Sequence, residues 1–210
     1  MIKFFLLFFS LTLTNMALAQ GVVHEFNKAV ELNDVRTVKR LIARGVDPNT
    51  QDQRGDPALV VAARLGNQEL VQALVDGKAK INIRNGFGDT PIMMAALGGH
   101  FSLVRYLRDK GAEINFTGWT PLAYAATGGH ANIVVYLLEQ GANPNAKSPN
   151  GTTALMMAIR EFSDDAAKKL IEYGADIHAE NDNGETPLSW AVRAESDGMI
   201  NFLKKLGAKK

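Results

Sequence analysis

Hydrophobic and polar residues alternate along this chain in short blocks, each long enough for two to three helical turns. In the stretch from Phe101 to Lys110, the apolar residues Leu103, Val104 and Leu107 have the three- and four-residue spacing of one helix face. Gly111 follows this stretch, at the position where a left-handed residue commonly ends a helix. The pattern predicts a short amphipathic helix here.

A second short helix is predicted just before it. Thr90 offers a side chain that can cap free backbone N–H groups, and Pro91 is tolerated at the first helical position. The small residues Ala95 and Ala96 let neighbouring helices approach closely, and a glycine pair from Gly98 ends the helix. The predicted unit is therefore a helix, a turn, a second helix and a projecting loop.

This unit recurs along the chain. Five copies keep their phase, with spacings of 33, 30, 33 and 33 residues, and begin at Gly55, Gly88, Gly118, Gly151 and Gly184. A degenerate copy precedes them, because Ala29 lies 33 residues before Ala62. A pair of such short helices cannot bury its apolar face alone, whereas stacked copies can, and this predicts a linear solenoid.

The recurring residues resemble the ankyrin repeat. They are a Gly-x-Thr-Pro-Leu start, an Ala-Ala pair, Gly-His before the second helix and Gly-Ala-x-x-Asn after it, from about residue 22 to the end. The resemblance implies an all-α solenoid of about six stacked helix-turn-helix units with projecting β-hairpin-like loops, the first and last acting as caps. The expected repeats are approximately 22–54, 55–87, 88–117, 118–150, 151–183 and 184–210.

Two features depart from the family pattern. The His that often follows Thr-Pro-Leu is absent from every copy, which carry Val60, Met93, Ala123, Met156 and Ser189 instead. The junction between the third and fourth repeats is three residues short, which leaves only the segment from Asn115 to Trp119 for its loop. This finger-like loop is expected to be stubby and to leave a notch in the row.

Residues 1–19 have the layout of a secretory signal peptide, with the alternative of a membrane anchor. Lys3 is followed by an apolar run and by the small-x-small site Ala17-Leu18-Ala19, which predicts cleavage before Gln20. The run is short for a membrane span of about 30 Å. We therefore expect an exported protein with a single domain over 20–210, periplasmic or else secreted. A sequon at Asn115, a position that resembles a structural one in the family, favours a bacterial route.

Composition and motifs give no sign of catalysis. The chain has no Cys, a formal net charge of +1, and 46% apolar residues, so neither a disulfide framework nor a nucleic-acid partner is expected. No nucleophile elbow, phosphate loop or metal-ligand spacing occurs. His100 and His130 resemble the structural His of the family, and the methionines near Met93 and Met156 are expected in the core. We expect a monomer without cofactor or metal and without enzymatic activity.

The resemblance implies that a protein partner binds the concave face, formed by loops and first helices. The residues that occupy this face by position are Arg54, Asp56, Arg64, Arg84, Phe87, Asp89, Trp119, Thr152, Arg160, Glu185 and Arg193. Trp119 is expected either to contact the partner or to seal the stack. Arg64, Arg160 and Arg193 form either a basic row or a face balanced by Glu161 and Glu195.

The expected function is a protein–protein interaction module or scaffold. An immunity-type inhibitor of a periplasmic toxin and a secreted effector that binds a host protein are alternatives within the same class. An enzyme or a small-ligand receptor is a weaker hypothesis, because either would need a pocket with converging polar groups.

Overall fold

The computed structural model describes residues 20–209 as a continuous array of helices, and the predicted signal peptide over residues 1–19 lies outside the described residues. None of the described helices combines the length and apolar character that a membrane span requires. The helices are α1 (residues 20–31), α2 (Val35–Ala43), α3 (Ala58–Leu65), α4 (Gln68–Asp76), α5 (Pro91–Leu97), α6 (Phe101–Asp109), α7 (Pro121–Thr127), α8 (Ala131–Glu139), α9 (Ala154–Arg160), α10 (Asp164–Glu172), α11 (Pro187–Arg193) and α12 (Asp197–Lys205).

These helices form two layers with one continuous core between them. The helices α3, α5, α7, α9 and α11 stack in order as an inner layer, and their partners α4, α6, α8, α10 and α12 pack outside them. α2 packs against α4 and so belongs to the outer layer. Alanines at the centre of the inner layer, such as Ala62, Ala95 and Ala125, are fully buried and allow this close stacking. The predicted all-helical repeat solenoid is confirmed.

The predicted helix starts and ends are formed by local interactions. Thr120 Oγ1 accepts the N–H of Ala123 at 3.2 Å, and Pro121 is the first residue of α7. At the other ends, Gly99 and Gly111 have φ angles of 74° and 92°. These angles are costly for residues that have a Cβ atom, which explains why glycine stands at the turns.

Other side chains replace the absent His after the Thr-Pro motif in two repeats. Met93 Sδ accepts the N–H of Thr90 at 3.4 Å. Ser189 Oγ accepts the N–H of Thr186 at 2.9 Å and donates to the Thr186 carbonyl at 2.7 Å. The methionines Met93 and Met156 are both buried in the core, as expected.

Asparagine side chains join consecutive repeats at the ends of the outer helices. Asn115 Nδ2 donates to the Gly141 carbonyl at 2.9 Å, and its Oδ1 accepts the N–H of Asn143 at 2.9 Å. Asn145 repeats this arrangement with the carbonyl of Gly174. The structural role expected for Asn115 is therefore confirmed.

His100 and His130 also connect repeats. Their Nε2 atoms lie 3.3 Å and 3.0 Å from the carbonyl oxygens of Arg64 and Leu97, at the ends of the preceding inner helices. A Cβ atom at Gly66 would stand 2.3 Å from His100 Cε1, so the glycine makes room for the imidazole. These contacts confirm the structural interpretation of both histidines.

Candidate protein-binding surface

The loops between helix pairs project as fingers, which we number along the chain: finger 1 (52–56), finger 2 (84–89), finger 3 (115–119), finger 4 (148–152) and finger 5 (181–185). In finger 2, the N–H of Asn85 donates to the Asp89 carbonyl at 3.1 Å. Asn85 Oδ1 accepts the N–H groups of Phe87 and Asp89 at 3.0 Å and 2.9 Å. Isolated antiparallel bridges at the bases of fingers 1 and 4 give these loops their hairpin character.

Finger 2 presents Phe87 at its tip with 88% of its surface exposed. The two hydrogen bonds to Asn85 Oδ1 hold the backbone on either side of this residue. An aromatic side chain is thus displayed to solvent on a closed turn, although burying it would be favourable.

A chain of polar contacts fixes finger 2 against its neighbours. Arg64 Nη1 donates to Asp56 Oδ2 at 3.0 Å, and Asn85 Nδ2 donates to Asp56 Oδ1 at 2.9 Å. Asn85 Nδ2 also reaches Asp89 Oδ2 at 3.3 Å, and the Tyr124 hydroxyl donates to Asp89 Oδ1. Burial, followed by the hydrogen bond to Asp89, raises the pKa of Tyr124. Three successive repeats are therefore joined through side chains.

A separate polar cluster organises finger 5. Glu185 accepts hydrogen bonds from Arg193, from Asn181 Nδ2 at 2.8 Å and from Trp190 Nε1 at 2.9 Å. The hydrogen bond from Arg193, followed by that from Asn181, lowers the pKa of Glu185. Its carboxylate is therefore satisfied by finger 5 itself and by the adjoining helix α11.

The arginines at the ends of the inner helices do not form an uncompensated basic row. Arg64 pairs with Asp56, and Arg160 Nε lies 2.7 Å from Glu161 Oε1. Arg193 pairs with Glu185, whereas the sequence suggested Glu195 as a balancing charge. Of the two sequence-based alternatives, the balanced face describes these arginines.

Trp119 in the shortened finger 3 is half-buried. Its ring packs edge-on against Tyr124, with centroids 6.0 Å apart and an interplanar angle of 60°. It also packs on the hydrophobic core, in agreement with the expectation that it seals the stack. A contact between the exposed part of Trp119 and a partner remains a prediction.

The other predicted contact residues differ in how much surface they offer. Asp56 is 6% exposed and Thr152 is 2% exposed, which leaves each of them little area for a partner. Arg54 is exposed, and its Nη2 lies 3.2 Å from Asp52 Oδ2. Arg84 is exposed on finger 2, where it lies over the ring of Phe116 in finger 3.

Exposed apolar residues at the turns between the two helices of a repeat were missed by sequence reasoning. Leu32 is 68% exposed and Phe162 is 66% exposed. Phe162 has a φ of 56° and stands where earlier repeats carry Gly66, Gly99 and Gly129. A bulky residue at a position that favours glycine was the sequence signal that could have identified it. Within residues 20–209, no cluster of side chains suited to a metal ion occurs.

Comparison with known proteins agrees with this architecture. The sequence model described as "Ankyrin repeats (3 copies)" matches residues 26–117, 70–148, 114–181 and 140–210, so the chain belongs to the ankyrin-repeat family. It is also similar to alpha-latrocrustotoxin-Lt1a from Latrodectus tredecimguttatus, with 32% identity over 93 residues, which is 44% of this chain and 6% of that protein. Ankyrin repeats are generally protein–protein interaction modules and are typically non-catalytic.

Proposed function

We propose that this protein is a non-catalytic binding module that holds a protein partner on its inner surface. By inner surface we mean the five fingers together with the C-terminal ends of the inner helices. The observation that carries the proposal is Phe87, which is 88% exposed on a hydrogen-bonded turn. Aromatic side chains that bury area on association are typical hot spots of protein interfaces.

Further apolar side chains extend this surface beyond finger 2. Leu97 is 37% exposed at the end of α5, and Phe162 is 66% exposed just after α9. The neighbouring Arg64 and Arg160 are already paired with carboxylates of the chain. Interface centres are enriched in aromatic residues and arginine, and Phe87, Phe162, Arg64 and Arg160 are residues of these types.

We further propose that the protein acts as a scaffold in the periplasm or outside the cell. The apolar N-terminal stretch and the Ala17-Leu18-Ala19 site support export. The absence of Cys leaves packing and hydrogen bonds, such as those of Asn115, to stabilise the exported chain. Because Asn115 Nδ2 donates to the Gly141 carbonyl, a glycan on this sequon would crowd the repeat junction, which favours a bacterial route.

The test is capture from the envelope fraction with the purified protein immobilised through a C-terminal tag, followed by mass spectrometry. The wild type, Phe87→Ala and Tyr173→Ala are compared, because Tyr173 is an exposed aromatic at the end of the outer helix α10. A protein retained by the wild type and Tyr173→Ala but lost from Phe87→Ala supports the proposal. Equal retention by Phe87→Ala contradicts the assigned surface, and repeated failure of the wild type to retain any protein counts against a binding module.

A further inference from the structure

Arg84 differs from the other arginines of the inner surface in how its charge is held. Its guanidinium lies 4.6 Å from the centroid of the Phe116 ring. Its one side-chain hydrogen bond within the described residues is a long one of 3.4 Å, from Nη1 to the Gly88 carbonyl, and it forms no ion pair there. By contrast, a carboxylate of this chain pairs with each of Arg54, Arg64, Arg160 and Arg193.

The stacking contact orders Arg84 without using its hydrogen-bond donors. A guanidinium group carries five N–H donors, and contact with the face of an aromatic ring occupies none of them. A long side chain that is already held loses less conformational entropy when it binds. Arg84 is therefore a pre-ordered donor for an oxyanion that this chain does not supply.

Finger 2 places this donor beside the exposed aromatic residue. Arg84 Nη1 contacts the carbonyl of Gly88, the residue that directly follows Phe87. The acidic side chain of the finger, Asp89, is engaged by Asn85 and by the Tyr124 hydroxyl. The guanidinium of Arg84 and the ring of Phe87 are thus both exposed on finger 2, while the carboxylate of Asp89 is hydrogen-bonded to other residues.

We propose that finger 2 recognises an acidic peptide segment of the protein partner. In this segment, an Asp or Glu carboxylate binds the guanidinium of Arg84 and an adjacent apolar side chain covers Phe87. Because carboxylates of this chain pair with Arg54, Arg64, Arg160 and Arg193, Arg84 offers a single guanidinium, which suits a monoanionic carboxylate. Phosphorylated segments, by contrast, are commonly bound by clusters of arginines. The inference rests on the proposed binding function and specifies the chemistry of the partner.

The experiment is selection of a phage-displayed random peptide library on the immobilised protein. Enriched sequences are synthesised, and their dissociation constants are measured by fluorescence anisotropy for the wild type and the variants Arg84→Gln, Arg84→Lys and Phe87→Ala. Arg44→Gln is the matched control, since Arg44 is an exposed arginine at the end of the outer helix α2. We expect enriched peptides to carry Asp or Glu next to an apolar residue.

For such peptides, Arg84→Gln and Phe87→Ala are each expected to weaken binding about tenfold or more, and Arg44→Gln to leave it unchanged. Arg84→Lys is expected to behave like Arg84→Gln, because lysine keeps the charge but loses the planar fork and the stack. The inference is wrong if no peptide is enriched, if enriched peptides lack acidic residues, or if Arg84→Gln binds as Arg44→Gln does. None of these results would contradict the proposed binding function of the whole inner surface, which the capture experiment tests separately.

Discussion

The side-chain amide of Asn85 in finger 2 donates to the carboxylate of Asp56 in finger 1 at 2.9 Å, and it also reaches Asp89 at 3.3 Å. A single amide therefore separates two carboxylates, one of which is buried. Because this contact joins two fingers, the orientation of the finger 2 tip depends on a neutral donor at position 85.

Replacing this donor with a carboxylate is expected to destabilise the protein. Asn85→Asp places a third acidic group against Asp56 and Asp89 and removes the hydrogen bonds from Nδ2. We expect the free energy of unfolding at neutral pH to fall by about 1–3 kcal/mol, the usual range for a broken buried polar contact. Denaturation in urea, followed by circular dichroism, measures this change.

Asn183→Asp is the control for that substitution. Asn183 is an exposed asparagine of finger 5, so its replacement is expected to change stability by less than about 0.5 kcal/mol. If Asn85→Asp and Asn183→Asp unfold at the same urea concentration, the contact between fingers 1 and 2 does not contribute to stability.

Substitution of Phe87 is expected to affect partner binding, whereas substitution of Trp119 is expected to affect stability. Phe87→Ala removes a side chain that is 88% exposed, so we expect a change in stability within about 0.5 kcal/mol together with loss of partner capture. Trp119→Ala removes the ring that packs on Tyr124 and the core, and a cost of about 1–3 kcal/mol follows from its partial burial. Thermal unfolding followed by far-ultraviolet circular dichroism compares the two variants with the wild type. If Phe87→Ala lost more stability than Trp119→Ala, the assignment of Phe87 to binding and Trp119 to packing would be contradicted.

The helices and their turns were predictable from the sequence because local residues determine them. The predicted helix from Phe101 to Lys110 ends one residue earlier, at Asp109, and Gly111 takes the expected left-handed conformation. The packing of Trp119 was left open, because it depends on Tyr124 and on the hydrophobic core. Sequence spacing also did not show that Arg193 pairs with Glu185, because this contact depends on how the finger folds over its helix.

We expect glycine to be required at position 66 for two reasons, namely the positive φ of its own backbone and the proximity of the His100 ring. Its φ is 73°, and an added Cβ would stand 2.3 Å from the His100 ring, whereas Gly45 has a φ of 94° and open space around it. Gly45→Ala therefore measures the backbone cost, about 1–2 kcal/mol, and Gly66→Ala adds the clash. We expect Gly66→Ala to be less stable in urea than Gly45→Ala. When both substitutions are made in a His100→Ala background, we expect this difference in stability to disappear. Equal stability of the two single variants would show that the imidazole yields without cost.

The hydroxyl of Tyr124 is expected to make stability depend on alkaline pH. Burial and the hydrogen bond to Asp89 raise the pKa of Tyr124 above the value of about 10 that it has in the unfolded chain. The folded state then holds this proton more tightly than the unfolded state does. The stabilising contribution is complete below pH 10 and is lost as the pH rises through the higher pKa of the folded state.

Tyr124→Phe isolates this effect from the titration of other groups. Tyr106 and Tyr136 also have raised pKa values, so the wild type alone does not report on one residue. The variant lacks the hydrogen bond to Asp89, and we expect it to be less stable by about 1 kcal/mol near neutral pH. Above pH 10 the wild type is expected to lose stability faster than Tyr124→Phe, so the two curves of unfolding free energy converge. Parallel curves would show that the hydroxyl ionises in the folded protein as easily as in the unfolded chain.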